Sequence, residues 1–248
     1  METMQAQRRF WHSLPESLPH AIGLDRQRGE AFFEQVASRR GLLPSIGLAA
    51  AVVILGSATY GFTFGLWRSS LLAAYVAIKL PALLVITTSL VMLLNWIVAQ
   101  LTASGLGFTQ VAALTYRAMA TASLVLASLA PVSAFMAVAC PPPQPNDDLA
   151  HNVLLLIHVA FVACAGVYGN SIVLRGMRRL CRPGTPIVRL YFAWLASNVI
   201  VGCQLAWILR PFLGSPNYPV AFLRSDALDG NFFEFVFITI VWKRLLGL

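Results

Sequence analysis

The chain has 248 residues, 58% of them hydrophobic and only 11% charged, with a mean hydropathy of +0.71 and a formal net charge of +8. Soluble domains carry about 25% charged residues, so this composition excludes an ordinary soluble globular fold. The cations are 16 Arg and 2 Lys; they form no runs interleaved with aromatics on a soluble segment, as nucleic-acid binding requires, and read as the orientation signal of a membrane protein.

Residues 1–43 are polar and basic, with Arg8, Arg9, Arg26, Arg28, Arg39 and Arg40. Arg8 and Arg9 lead into Phe10-Trp11-His12-Ser13, without the apolar core and small-residue cleavage site of a secretory signal. Residues 28–40 read as an amphipathic helix: Phe32, Phe33 and Val36 share one side, and Glu30, Glu34, Gln35 and Arg39 fall elsewhere on the wheel. Such a helix beside a span is expected to lie on the membrane surface.

Residues 44–248 form the membrane region. Stretches of about 20 apolar residues cross a hydrocarbon core of roughly 30 Å as helices. They occur at 44–67, 71–99, 111–139, 151–174 and 186–209. The first ends in Tyr60, Gly61, Phe62, Phe64, Gly65 and Trp67, which suit close helix packing and an interfacial aromatic belt. The second contains Lys79 and Pro81; the proline is expected to kink it and free a local carbonyl for the lysine. The third has Arg117 near its start and Pro131 inside. A proline-rich loop with Asp147 and Asp148 follows, and Arg175, Arg178, Arg179 and Arg182 close the fourth span. The last segment, 231–248, carries Glu234, Lys243 and Arg244. At 1.5 Å per residue it is about 27 Å long, the short end of spanning length. It makes six spans if it crosses and five if it lies flat; we read six.

Charge then orients the all-α polytopic bundle. With the N-terminus cytoplasmic, the inner side receives the six N-terminal arginines, Arg175, Arg178, Arg179, Arg182, Arg189, Lys243 and Arg244, thirteen in all. The outer side receives three, Arg68, Arg210 and Arg224. This asymmetry places the N-terminus inside.

Lys79 and Arg117 lie within spans, where a charge is a functional candidate by default. A structural role, by ion pairing or snorkelling to the surface, is the alternative for both. Glu234, entering from the outer side, is the natural partner of Lys79, and the two are expected to form an intramembrane ion pair. Asn95, Asn198 and Gln204 are intramembrane amides, either interhelical glue or, with Arg117, a polar transport site. Residues 210–230 concentrate prolines, aromatics and charges and are expected to form an ordered outer cap, with Arg210, Pro211, Arg224, Asp226 and Asp229 as its structural residues.

No catalytic motif occurs: there is no GxSxG, HExxH or glycine-rich phosphate loop. Cys140, Cys164, Cys181 and Cys203 lack metal spacing and suggest no disulfide framework. His151 and His158 sit on one helix, which disfavours axial haem ligation. No metal or other cofactor is expected.

The run WILRPFLGSPNYPVAFLR from Trp207 to Arg224, the GNFFE pentapeptide ending at Glu234, Tyr60-Gly61-Phe62 and Lys79-Leu80-Pro81 resemble a group of uncharacterised bacterial polytopic membrane proteins. The overall plan, a cytoplasmic N-terminal segment before a compact helical region, is remotely similar to the Yip family of Rab-GTPase-interacting membrane proteins. That resemblance implies protein recruitment or membrane organisation, in a bacterial inner membrane that lacks Rab partners. The expected function is a non-enzymatic membrane scaffold or complex subunit. Its partners are the lipid bilayer and other membrane or cytoplasmic proteins, with self-association open and nucleic acid excluded. The alternative is a small transporter or ion-conducting protein using Lys79, Arg117 and Glu234.

Overall fold

The computed structural model describes residues 26–144 and 149–236. Residues 1–25 with Arg8 and Arg9, the Asp147-Asp148 loop and residues 237–248 lie outside the described residues. Regular structure among the described residues is helical: α1 (Arg26–Ser38), α2 (Leu42–Leu66), α3 (Ser70–Leu101), α4 (Phe108–Ala139), α5 (Leu149–Leu180), α6 (Ile187–Ile208) and a short α7 (Phe232–Val236). Five of these, α2 to α6, are long and apolar enough to cross a membrane. The sixth expected span enters the described residues only as α7.

Local chemistry sets the helix ends. The Ser69 hydroxyl accepts from Leu72 N at 3.1 Å and caps α3. Gln110 Oε1 accepts from Gly107 N at 2.9 Å and closes the start of α4. Pro81 lies inside α3, which runs unbroken to Leu101. At 1.5 Å per residue, the 32 residues of α3, α4 and α5 each extend about 48 Å, longer than the hydrocarbon core, so these helices tilt or protrude.

The long helices form an open ring. α2 packs against both α3 and α4; α4 continues to α5 and α3 to α6, while α5 and α6 touch little. Glycine permits the closest approaches. A Cβ on Gly61 would lie 2.6 Å from the Val76 carbonyl oxygen, and one on Gly169 would lie 2.6 Å from that of Ala118. The outward faces carry Leu90, Leu94, Phe135, Leu156, Val167 and Phe192, all exposed, as a lipid-facing belt requires.

α1 differs from its expected place on the membrane surface. Phe32, Phe33 and Val36 are buried in the protein, in one cluster with Leu106, Leu114, Ile172 and Met177. Gln110 Nε2 donates to the Val36 carbonyl at 2.9 Å, and Arg179 pairs with Glu30 at 3.1 Å. Three aromatic or branched side chains gain more from this dry cleft between helices than from a wet interface, so α1 closes the basic end of the ring.

Candidate functional site

The two intramembrane cations are held at opposite ends of the bundle, and each is covered by a different segment. Lys79 is fully buried. Its Nζ donates to the Pro211 carbonyl at 2.9 Å and stands 5.2 Å from the Phe222 ring centre and 5.9 Å from that of Phe212. A carbonyl dipole and two ring faces thus stabilise the charge without a carboxylate.

The covering loop is ordered by its own charges. Arg224 grips Asp226 in bidentate fashion, Nε to Oδ1 at 2.9 Å and Nη2 to Oδ2 at 3.0 Å. Arg210 Nη2 reaches the same carboxylate at 3.3 Å and the Asp226 carbonyl at 3.0 Å, while its guanidinium stacks 3.6 Å from the Trp207 ring centre. Arg68, at the α2–α3 turn, donates to the carbonyls of Pro216 and Tyr218. The Arg224 hydrogen bond, seconded by Arg210, holds the Asp226 carboxyl below its ordinary range. Among the described residues Asp229 takes no arginine; its backbone N–H turns back to the Asp226 carbonyl.

The ion pair expected between Lys79 and Glu234 does not form. Asn231 Oδ1 accepts from Glu234 N at 2.8 Å, and Asn231 Nδ2 donates to Glu234 Oε2 at 3.2 Å. The acid is exposed and serves the start of α7 in an Asn-x-x-Glu capping arrangement. Nor does Lys79 use a carbonyl freed by Pro81. The folded-back loop brings Pro211 to it instead.

Arg117 is only 4% exposed, and its guanidinium carbon lies 4.8 Å over the Phe32 ring of α1. Its Nε has no hydrogen-bond partner. Among the described residues the other members of the expected polar set form no hydrogen bond with it or with one another. Asn198 Nδ2 donates to Trp194 O in its own helix, and Gln204 Oε1 accepts from Phe232 N. Both amide atoms of Asn95 are buried without a partner. No direct hydrogen-bond network joins these four side chains among the described residues.

One polar contact had no sequence forecast. The Tyr60 hydroxyl and His158 Nδ1 share a hydrogen bond between α2 and α5, and the imidazole stacks on Phe64 with centroids 4.1 Å apart. Both side chains are buried. An aromatic-rich segment on α2 and two histidines on α5 were visible, but the pairing of Tyr60 with His158 required knowing which side chains the fold brings together. All four cysteines are free thiols, and burial raises the pKa of Cys181 at the α5–α6 turn. Among the described residues no three His, Cys, Asp or Glu side chains converge as a metal site would need.

Together the apolar helices and sealed cations define an all-helical protein built for a membrane. Known protein families, curated proteins and solved structures provide no match to this chain.

Proposed function

We propose that the chain is a non-enzymatic scaffold or subunit of a membrane complex. It would reside in a bacterial inner membrane with its N-terminus inside, and residues 231–248 would provide a sixth crossing. The observation that carries this reading is the docking of α1. Its apolar side chains are spent inside the bundle, while Glu30, Glu34, Arg39 and Arg40 remain exposed on a fixed platform. A surface held this firmly presents charged groups to a partner at little further entropic cost. Transport through Lys79 and Arg117 finds less support, because the first lies beneath the cap and the second beneath Phe32.

The test is purification of the full chain from native membranes in mild detergent, beside a Phe32→Asp/Phe33→Asp variant. A stoichiometric partner that is retained by the wild type and lost with the variant, while the variant's bundle keeps its helical content, is the expected result. A chain that purifies alone and conducts ions in liposomes would reverse the order of the two readings.

A further inference from the structure

Of the two cations buried within the long helices, Lys79 has a hydrogen-bond acceptor and Arg117 has none among the described residues. A guanidinium carries five N–H donors in one plane. Phe32 covers a face of that plane, with its ring centre 4.8 Å from the guanidinium carbon. A ring face attracts the charge but accepts nothing at the in-plane edge, where the donors point. Nε is enclosed there without a partner. Nη1 and Nη2 make no hydrogen bond among the described residues either, but they are not enclosed, so the 4% exposure left to the residue opens onto donors. A buried cation this bare calls for an acceptor from outside the chain.

We propose that Arg117 anchors the phosphate of an anionic membrane lipid, at the seam where α1 meets α4 and α5. Position selects a lipid. Side chains on a helix lean toward its N-terminus, so Arg117 reaches back toward the end of α4 that α1 covers. There Gln110 meets the Val36 carbonyl and Arg117 meets Phe32. Glu34 of α1 is exposed, as are Arg39 and Arg40 just beyond it. Exposed charges of this kind stand at the headgroup boundary of a bilayer, not in its hydrocarbon. The seam therefore opens where lipid phosphates lie, and the two free oxygens of a phosphodiester match the donor edge of a guanidinium.

Charge selects an anionic headgroup. On α5, Arg175 and Arg179 are i, i+4 neighbours on one face. Arg179 meets α1 twice, pairing with Glu30 at 3.1 Å and lying over Phe33, so this face borders the same seam. Arg175 is exposed, and its Nε donates at 3.3 Å only to the Ser171 carbonyl of its own helix. Three guanidiniums thus face one paired carboxylate, Glu30. The remaining positive charge attracts a phosphodiester and repels the ammonium of a zwitterionic headgroup. A water molecule would satisfy a donor but leave that charge uncompensated. A lipid phosphate and a free phosphate share this chemistry, and competition separates them.

The experiment uses the full chain in mild detergent and native mass spectrometry, with phosphatidylglycerol and phosphatidylcholine of identical acyl chains as probes. A single phosphatidylglycerol should stay bound to the chain where phosphatidylcholine is lost. Arg117→Met, which keeps an apolar stem, should bind phosphatidylglycerol roughly ten- to hundredfold more weakly, the worth of a hydrogen bond to a charged group. Arg117→Lys keeps the charge without the planar fork and should weaken binding by a smaller factor. It carries the test if Arg117→Met fails to fold. Arg189→Met removes an exposed charge on α6, outside the seam, and should bind the lipid as the wild type does. Equal retention of the two lipids, or binding unaltered in the Arg117 variants, overturns the proposal. So does an equal loss in Arg189→Met, which would mean diffuse attraction to the basic end. Glycerol phosphate and inorganic phosphate should fail to displace the lipid, and displacement by either overturns the choice of a lipid.

Discussion

A lysine ammonium has three N–H donors, and Lys79 meets one hydrogen-bond acceptor, the carbonyl of Pro211. Two terms oppose each other when that charge is removed. Relief from burying a cation is of order 2.5–3.5 kcal/mol on insertion scales. Loss of a hydrogen bond to a charged group costs about 1.5–3 kcal/mol. Lys79→Met, which keeps the apolar stem, should therefore change global stability in detergent little, yet release the cap. Amide hydrogen exchange across residues 211–226 should rise about tenfold or more, the equivalent of 1.4 kcal/mol per decade. Glu234→Gln should leave that exchange unaltered, because its carboxylate bonds Asn231. Any restoration of the Lys79→Met cap by Glu234→Gln would mean that the two residues are coupled after all.

These residues also mark what could be foreseen. A buried charge inside an apolar run was evident from spacing alone, and so was the density of prolines and charges in residues 210–230. The partner was not, because a backbone carbonyl has no residue signature and any loop can supply one. Asn231-x-x-Glu234 did carry a recognisable capping spacing, and it accounts for Glu234 more simply than a distant lysine does.

At the scale of elements, α2 illustrates how one helix can hold two others. Gly61 lets the α3 backbone approach, and alanine there would put a methyl 2.6 Å from the Val76 oxygen. The neighbour is backbone, so the helices must separate, at an overpacking cost of about 1–3 kcal/mol. Gly47, on the same helix, is exposed and meets nothing within 4 Å. Gly47→Ala should be neutral or stabilising by up to about 1 kcal/mol through helix propensity. Opposite shifts in thermal midpoint are expected for the two substitutions, and equal shifts would remove the close-packing account. The periodicity of α1 likewise foretold which face is apolar but not what covers it, because the cleft that receives Phe32 and Phe33 is built by Leu106, Leu114, Ile172 and Met177 from distant parts of the chain.

The cap loop has its own pH response. Asp226 titrates below its ordinary 3.8 in the folded protein because Arg224 and then Arg210 hydrogen-bond the carboxylate. A depressed folded pKa contributes order that is complete above the unfolded value and disappears as pH falls through the folded one. The cap should thus be unaffected from neutrality down to about pH 4 and loosen only below the ordinary carboxyl range. Asp226→Asn should reproduce the acidic behaviour at neutral pH, read as faster proteolysis between Leu213 and Ala227. A cap that already loosens near pH 6 in the wild type would point to a different titrating group.

For the molecule as a whole, the five helices long and apolar enough to cross a membrane follow one another through short connections, so with alternating direction the α1 end and the α6 exit lie on opposite sides. The end that holds α1, the α3–α4 connector and the α5–α6 turn also carries Arg39, Arg40, Arg175, Arg178, Arg179, Arg182 and Arg189. The opposite end carries Arg68, Arg210 and Arg224, of which Arg210 and Arg224 share the single carboxylate of Asp226. One carboxylate offsets one cation at each end, Glu30 at the basic one and Asp226 at the other, so the seven-to-three asymmetry survives pairing, and short basic loops stay cytoplasmic. Reporters fused at the N-terminus should read cytoplasmic, and one inserted at Asn146 should read external. Residues 231–248 decide the rest. If they continue α7 across the bilayer, Lys243 and Arg244 return to the basic side and a C-terminal reporter reads cytoplasmic. A C-terminal reporter on the external side would leave five crossings, while an external N-terminus would invert the entire arrangement.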